Sequence, residues 1–245
     1  MLFTWNEQTF QWFEEASEYT GYNRNLAELL YPYLEGCRSI CDIGCGMALV
    51  DFELAEKFDR VICVDVNENV IENVRDRAEK LGLPGFQAVC ADGMDRAKIS
   101  PEEGPLADGV LALFHGDAEK VGLTYRSYAA KKLIFVVHRS AYGSTGPEKY
   151  RIRKCFDTEH TKAWLEKEGI PYTFRAAELE FGQPHRSMEE AIAYTRIFSK
   201  DAPEDELTAY VRSHVIETGR EDFPLYTPKK RRFGIFVIDA GNEEK

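Results

Sequence analysis

Two glycines close a short apolar run near position 40, in the sequence Asp42-Ile43-Gly44-Cys45-Gly46. Glycine has no Cβ and tolerates positive φ, so a turn built from it lets the backbone approach a ligand closely. A helix that begins just after such a turn offers its first N–H groups, which lack intrahelical partners, to the same ligand. This spacing therefore predicts a nucleotide-type binding site.

Two carboxylates follow the next two apolar runs. Asp65 comes nineteen residues after Gly46 (65 − 46), and an acidic residue at about that distance can accept both hydroxyls of a ribose. The negative charge of Asp65 would repel a phosphate on the ribose 2′ position, so an NADP-type ligand is disfavoured. Asp92 follows the third run and can accept the exocyclic amine of an adenine. Either Asp alone is equally consistent with a solvated strand end, but the glycines and both acids together favour an adenosine site.

A dinucleotide site of the dehydrogenase type is the first alternative. Its Gly-x-Gly-x-x-Gly pattern needs a third glycine where this chain has Leu49. The bulky side chain opposes the close approach of helix and strand that the third glycine permits. The sequence therefore disfavours NAD as the ligand.

The elements that must position these residues alternate between strands and helices. Strands are predicted at 39–43, 61–64, 86–91, 109–114 and 132–138, with helical periodicity between them. Such alternation is typical of an α/β fold, with a doubly wound, mostly parallel sheet and helices on both faces. The loops after the strands then share one edge of the sheet, which is where ligands bind in this architecture.

At this point the motifs resemble those of a known family, the class I S-adenosylmethionine-dependent methyltransferases. Residues 40–46 resemble motif I of that family, residues 61–66 its second motif and residues 91–94 its third. The resemblance covers roughly residues 34–138. It implies a Rossmann-like methyltransferase fold with seven strands, in which predicted strands at 172–181 and 232–240 form the closing hairpin and the last strand is antiparallel. One departure is Ala48, where the family often has a third glycine.

The resemblance also implies roles for individual residues around S-adenosyl-L-methionine. Gly44 and Gly46 would approach its methionine part, with Asp42 near the amino group. Asp65 would bind the ribose and Asp92 the adenine amine. The full set of cofactor-binding residues implied in this way is Asp42, Gly44, Cys45, Gly46, Asp65, Val66, Asp92, Gly93, Met94 and Leu113.

His115 is the candidate catalytic residue, because it follows the strand that ends near the methyl group in this family. Its ordinary pKa suits proton transfer near neutrality. A loop histidine held by backbone is the competing interpretation. His138 and His185 are weaker candidates of the same kind. No metal is predicted, since the cysteines lack Cys-x-x-Cys or histidine partners.

Composition limits the partners. The 245 residues carry 42 acidic and 31 basic side chains, a net charge of −11, which disfavours nucleic acid. The basic run Lys229-Lys230-Arg231-Arg232 is interpreted as a solvated loop before the last strand. No apolar run reaches the roughly 20 residues of a membrane span. With no signal-peptide pattern at the start, a cytoplasmic protein is expected.

The predicted organisation is an N-terminal helical lid at 1–35 and a methyltransferase domain at 36–245. A helical insertion at about 182–231 separates the last two strands. The predicted activity is methyl transfer from S-adenosylmethionine to a small-molecule acceptor. An aminopropyl-type transferase on the same fold and a non-catalytic S-adenosylmethionine-binding protein remain alternatives. The sequence specifies neither the acceptor nor the oligomeric state.

Overall fold

The structure is a computed structural model that describes residues 6–140, 145–151 and 156–240. These residues form two compact units. Unit 1 takes its described residues from 1–22, 140–157 and 178–232, and unit 2 takes its own from 23–139, 158–177 and 233–245. Among the described helices, none has both the length and the apolar character that crossing a bilayer requires.

Unit 2 is built on a seven-stranded sheet, whose last two strands also extend into the ranges of unit 1. Its strands are β1 (Ser39–Ile43), β2 (Arg60–Asp65), β3 (Phe86–Cys90), β4 (Ala107–Leu113), β5 (Ala129–His138), β6 (Thr173–Glu180) and β10 (Lys230–Asp239). The spatial order is β3-β2-β1-β4-β5-β10-β6. The predicted fold is confirmed: the first five strands are parallel, and β10 runs antiparallel to β5.

The strand order reverses between β1 and β4. From β1 the chain continues outward to β2 and β3, then returns to place β4 on the other side of β1. In an open α/β sheet this reversal creates a crevice beyond the carboxyl ends of the two central strands. The loops after Ile43 and Leu113 are therefore brought together by topology, although 70 residues separate them (113 − 43).

Six helices flank the strands of this sheet in sequence. They are α2 (Tyr22–Leu30), α3 (Leu49–Leu54), α4 (Glu68–Lys80), α5 (Arg96–Ile99), α6 (Ala118–Tyr128) and α7 (Thr158–Lys167). Asn67 caps α4 as predicted, since its side chain accepts from the N–H groups of Asn69 and Val70. The central strands are apolar and buried over most of their length, as parallel strands covered on both faces should be.

Unit 1 combines helices with a small sheet. The helices are α1 (Glu7–Thr20), α8 (Met188–Phe198) and α9 (Glu204–His214), and the strands are β7 (Gln183–His185), β8 (Ile216–Glu217) and β9 (Leu225–Thr227). The sheet is antiparallel in the order β7-β9-β8. The sequence did not predict it, because strands of two or three residues are too short to show alternation.

Candidate functional site

The glycine turn after β1 has the backbone geometry expected of it. Gly44 and Gly46 have φ values of 77° and 53°. The N–H of Gly44 donates to the carbonyl of Val64 over 2.7 Å, which ties the turn to β2. Helix α3 follows directly, with Ala48 at its N-cap position in the left-handed conformation, at φ 52°.

Asp65 lies at the end of β2, beside this turn. One of its carboxylate oxygens accepts the N–H of Gly46 over 3.1 Å, and the other accepts the N–H of Asn67 over 2.9 Å. Two backbone donors therefore fix the plane of the carboxylate. A carboxylate oxygen has two lone pairs, so each one retains acceptor capacity for a further hydroxyl donor.

Two apolar side chains next to the acidic strand ends are unusually exposed. Val66 is 60% exposed after β2 and Met94 is 45% exposed after β3. Between them in sequence, Asp92 accepts the N–H of Met94 over 2.8 Å. Gly93 is buried, and a Cβ there would come within 2.3 Å of Ile43 and 2.7 Å of the Tyr125 hydroxyl. The strand ends thus present two exposed apolar groups and two carboxylates.

His115 lies against the glycine turn. A Cβ built on Gly44 would come within 2.1 Å of His115 Cγ, so the imidazole occupies the space that any side chain at position 44 would need. The contact removes part of the hydration of the ring, which lowers the pKa of His115, while the charges of Asp65 and Asp92 act in the opposite direction. The lowered pKa favours a neutral imidazole at pH 7.

The residue before it, Phe114, has a left-handed backbone with φ 58°. This conformation is costly for an aromatic residue and persists only where the surroundings enforce it. The Phe114 ring lies 4.6 Å from the ring of His138 and 5.6 Å from that of Phe233, measured between centroids. The turn at Phe114 therefore sets the direction of the loop that carries His115.

Below the glycine turn, Asp42 and Asp51 form a buried acidic pair. Both are 1% exposed, and burial raises the pKa of both carboxyls, that of Asp51 to about 7. The charge of Asp51 raises the pKa of Asp42 further. One oxygen of Asp42 and both oxygens of Asp51 have no hydrogen-bond partner among the described residues. Two like charges cannot both be held here, so the pair retains at least one proton at neutral pH.

His185, one of the weaker candidates for a base, has structural surroundings of its own. His185 belongs to unit 1, where it is fully buried and its Nε2 lies 2.9 Å from the Thr227 hydroxyl. Burial lowers the pKa of His185 to about 4. Within the described ranges, no group of three or more His, Cys, Asp or Glu side chains could hold a metal ion.

The comparisons with known proteins agree with this geometry. Residues 40–127 match the family model described as "Methyltransferase domain". Residues 40–127 therefore resemble a methyltransferase domain. The resemblance to the class I S-adenosylmethionine-dependent methyltransferases is thereby confirmed. No curated protein matches the chain in sequence.

Solved structures share the fold of this chain at low sequence identity. The YcgJ protein of Bacillus subtilis is 11% identical with a TM-score of 0.56, covering 88% of this chain and 98% of its own. A putative methyltransferase of Bacillus halodurans is 14% identical, with a TM-score of 0.55 and coverages of 89% and 99%. Geranyl diphosphate C-methyltransferase of Streptomyces coelicolor, in complex with Mg²⁺, geranyl diphosphate and S-adenosyl-L-homocysteine, is 11% identical, with a TM-score of 0.53 and coverages of 89% and 77%.

Two features of unit 2 were missed by the sequence reasoning. Asp51 is an acidic residue among Leu49, Val50 and Phe52, and an acid on an otherwise apolar helix start was the available signal. The left-handed backbone of Phe114 had no sequence signal, because a non-glycine residue gives no indication of positive φ.

Proposed function

We propose that this chain is an S-adenosylmethionine-dependent methyltransferase that acts on a small-molecule acceptor. The observation that carries the proposal is the position of Asp65, whose carboxylate is fixed by the N–H groups of Gly46 and Asn67 beside the glycine turn. A carboxylate oriented in this way has the chemistry to accept two neighbouring ribose hydroxyls. The family match of residues 40–127 supports the same assignment.

The cofactor fits the residues present at the strand ends. When bound, it supplies an electrophilic methyl group on a sulfonium sulfur. Gly44 and Gly46 would let the backbone approach its methionine part, because neither carries a Cβ. The buried Asp42 has an oxygen without a hydrogen-bond partner among the described residues and would face the amino group. Cys45 and Leu113 would complete this side of the site.

The adenine end would use the exposed residues after β2 and β3. Val66 and Met94 would cover the two faces of the ring, since both present apolar surface to solvent. Asp92 would accept the exocyclic amine, with its carboxylate oriented by the N–H of Met94. Gly93 would keep the chain close to β1, where a side chain would collide with Ile43.

His115 would act as the general base for an acceptor that loses a proton. Its ring is next to Gly44, and its lowered pKa leaves it able to take up a proton near neutrality. Positioning of the acceptor would supply much of the remaining rate enhancement, because effective molarity accounts for up to about 7–11 kcal/mol in well-oriented reactions.

Aminopropyl transfer on the same fold is disfavoured, because the two acidic residues near β4 already make structural contacts. Such chemistry would need carboxylates around β4 to hold an amine. Asp108 lies near the start of β4, where it accepts the N–H of Arg38 and pairs with Lys131. Asp117 caps α6 and contacts His160. Both carboxylates are engaged in holding the fold.

Calorimetry with four ligands tests the cofactor. We expect S-adenosylmethionine and S-adenosylhomocysteine to bind, and NAD and decarboxylated S-adenosylmethionine not to bind. D65A should weaken binding about 10- to 100-fold, the loss expected for hydrogen bonds to a charged group. D59A is the matched control, because Asp59 precedes the other end of the same strand and pairs with Arg38. NAD binding without sulfonium binding would overturn the proposal.

A turnover assay tests the acceptor class. Formation of S-adenosylhomocysteine would be measured with panels of small phenols, carboxylic acids, amines and thiols, and with RNA and protein substrates. Turnover with macromolecules alone would reject the small-molecule assignment. Cofactor binding without any turnover would favour the non-catalytic alternative. The lid role of 1–35 and the cytoplasmic location stay predictions.

A further inference from the structure

Two acidic residues of unit 2 flank the glycine turn in sequence and are buried beside it. Asp42 lies in β1, two residues before Gly44, and is in register with Cys63 of β2 on one side and Leu111 of β4 on the other. Asp51 lies in α3, the helix that follows the turn. Both residues are only 1% exposed. The acidic pair is therefore shielded from solvent, although it borders the proposed cofactor site.

Hydrogen bonds do not compensate for this burial. One oxygen of Asp42 and both oxygens of Asp51 lack a hydrogen-bond partner among the described residues. A buried carboxylate without partners is costly, because water no longer solvates its charge. Two such carboxylates side by side also repel each other. The arrangement therefore favours protonated carboxyl groups over ionised ones.

The titratable groups around the pair add negative charge or none. The charge of Asp65, at the end of β2, raises the pKa of Asp42. Arg60 lies at the opposite end of β2, where it donates to the carbonyl of Leu106 over 2.7 Å. The other groups on which the charge of Asp42 acts come from β1, the turn, β2 and α6, and they are Cys41, Cys45, Cys63 and Tyr125. A cation bound at the turn would therefore approach uncompensated acids.

We propose that Asp42 and Asp51 act as a proton-exchanging pair, which releases one proton when the ammonium group of a ligand binds at the glycine turn. The inference rests on the proposed function, because it needs a ligand with an amino-acid part. As the ammonium group approaches Asp42, its charge stabilises a carboxylate there. One carboxyl O–H bond then breaks and the proton leaves to the buffer. Asp51 is a positioning residue, since it acts on the ligand through Asp42.

Release of a proton makes the affinity for the ligand depend on pH. Burial raises the pKa of both acids, that of Asp51 to about 7, so the free protein holds the proton below this pH. Binding must then remove a proton, which is harder the lower the pH. Affinity should therefore rise with pH, by up to about tenfold per pH unit for one proton released. The rise should end as the pH passes the pKa of Asp51, about 7.

Calorimetry in two buffers of different ionisation enthalpy, such as PIPES and imidazole, counts the released protons. S-adenosylhomocysteine is the ligand, because it has the amino group but no sulfonium charge. Below neutral pH we expect the release to approach one proton per ligand bound. 5′-Methylthioadenosine has the same nucleoside and a thioether but no amino-acid part, so it should release none.

The outcomes separate this inference from the proposed function. Binding of S-adenosylhomocysteine without proton release would overturn the exchange and leave the cofactor assignment standing. The same release with 5′-methylthioadenosine would show that the ammonium group is not the cause. Absence of S-adenosylhomocysteine binding at every pH would overturn both proposals.

Variants assign the proton to the pair. In D51N the repulsion on Asp42 is removed, so the rise of affinity with pH should move to lower pH. E53Q is the matched control, because Glu53 is on the same helix and pairs with Arg24 at the surface. Circular dichroism would show that both variants are folded. The same pH profile of affinity in D51N and E53Q would overturn the role of Asp51.

His115 needs a separate variant, because its imidazole lies against Gly44 and also titrates. A protonated imidazole beside a bound cation would lose its proton as well. H115Q removes this group without touching the acidic pair, and we expect proton release below neutral pH to persist in it. Loss of the release in H115Q would assign the proton to His115 and overturn the proposal, and this test does not depend on the folding of D51N.

Discussion

At the scale of the residue, the chemistry of the site depends on how the fold changes the surroundings of a few ionisable groups. His115 illustrates this, because desolvation lowers its pKa although the charges of Asp65 and Asp92 raise it. Asp51 shifts further, because its carboxyl group is almost completely buried. In both cases the direction of the shift follows from desolvation, which disfavours the charged form.

Replacement of His115 tests the assignment of the base. If the neutral imidazole takes up the acceptor's proton, H115A should lower kcat by about 10²- to 10⁴-fold. In the unmodified protein the acidic limb of the pH–rate profile should lie below the usual pKa of histidine, because the shift is downward. H214A is the control, since His214 is exposed and stacks on Tyr210 in α9. An unchanged rate in H115A would show that no base is needed there.

Asp51 should make stability depend on pH. Its pKa is about 7 in the folded protein and close to the ordinary carboxyl value when unfolded. The folded state therefore retains a proton that the unfolded state loses, and this contribution to stability, present at low pH, is lost as the pH rises toward 7. The free energy of unfolding should fall by up to about 1.4 kcal/mol per pH unit across this window.

Urea unfolding of D51N at several pH values would measure this effect. In D51N, the part of the pH dependence of the unfolding free energy that is due to Asp51 should disappear. E53Q is the control, because Glu53 is on the same helix but exposed and paired with Arg24. The same pH dependence of the unfolding free energy in the unmodified protein, D51N and E53Q would contradict the raised pKa of Asp51.

At the scale of the element, the start of α3 is the strained part of the proposed cofactor site. Ala48 adopts a left-handed conformation at the N-cap, where the family often has glycine. Such a conformation costs an L-residue about 1–2 kcal/mol relative to glycine. The structure thus accommodates alanine at position 48, and the strained backbone there lowers the stability of the folded state.

Glycine at position 48 should therefore stabilise the protein. We expect A48G to raise the free energy of unfolding by roughly 0.5–1 kcal/mol, since relief of strain is partly offset by the greater freedom of glycine in the unfolded chain. A55G at the other end of α3 is the matched control. Ala55 has φ −54°, so the same change there should destabilise by about 0.5–1 kcal/mol. Chemical denaturation of the two variants, A48G and A55G, measures both changes in stability. A loss of stability in A48G would show that the backbone at position 48 is not strained.

At the scale of the whole molecule, charge limits the partners. A net charge of −11 repels polyanions at long range. We expect no retention of double- or single-stranded nucleic acid in filter binding near physiological salt. Retention that weakened as salt was added would contradict this prediction, because it would reveal a basic face.

The order of motifs along the chain was enough to predict the sheet and to bring the glycines and the acids to one edge of it. Glycines, acids and apolar runs are local signals, and parallel βα units place their loops on one edge by rule. The strands at 39–43 and 86–91 were predicted within one residue of the observed bounds. The small sheet of unit 1 was not predicted, because its register depends on contacts between residues about 40 positions apart, such as His185 and Leu225.

The sequence by itself determined the fold class and which strand ends carry the glycines and the acids, since these follow from patterns repeated along the chain. Only the tertiary structure decided the state of those side chains. It placed His115 against Gly44, buried Asp42 close to Asp51, and brought the Lys229 ammonium group within 2.7 Å of the Thr145 hydroxyl. The physical reason is that burial and proximity set charge and proton affinity, and both depend on residues that meet only after folding.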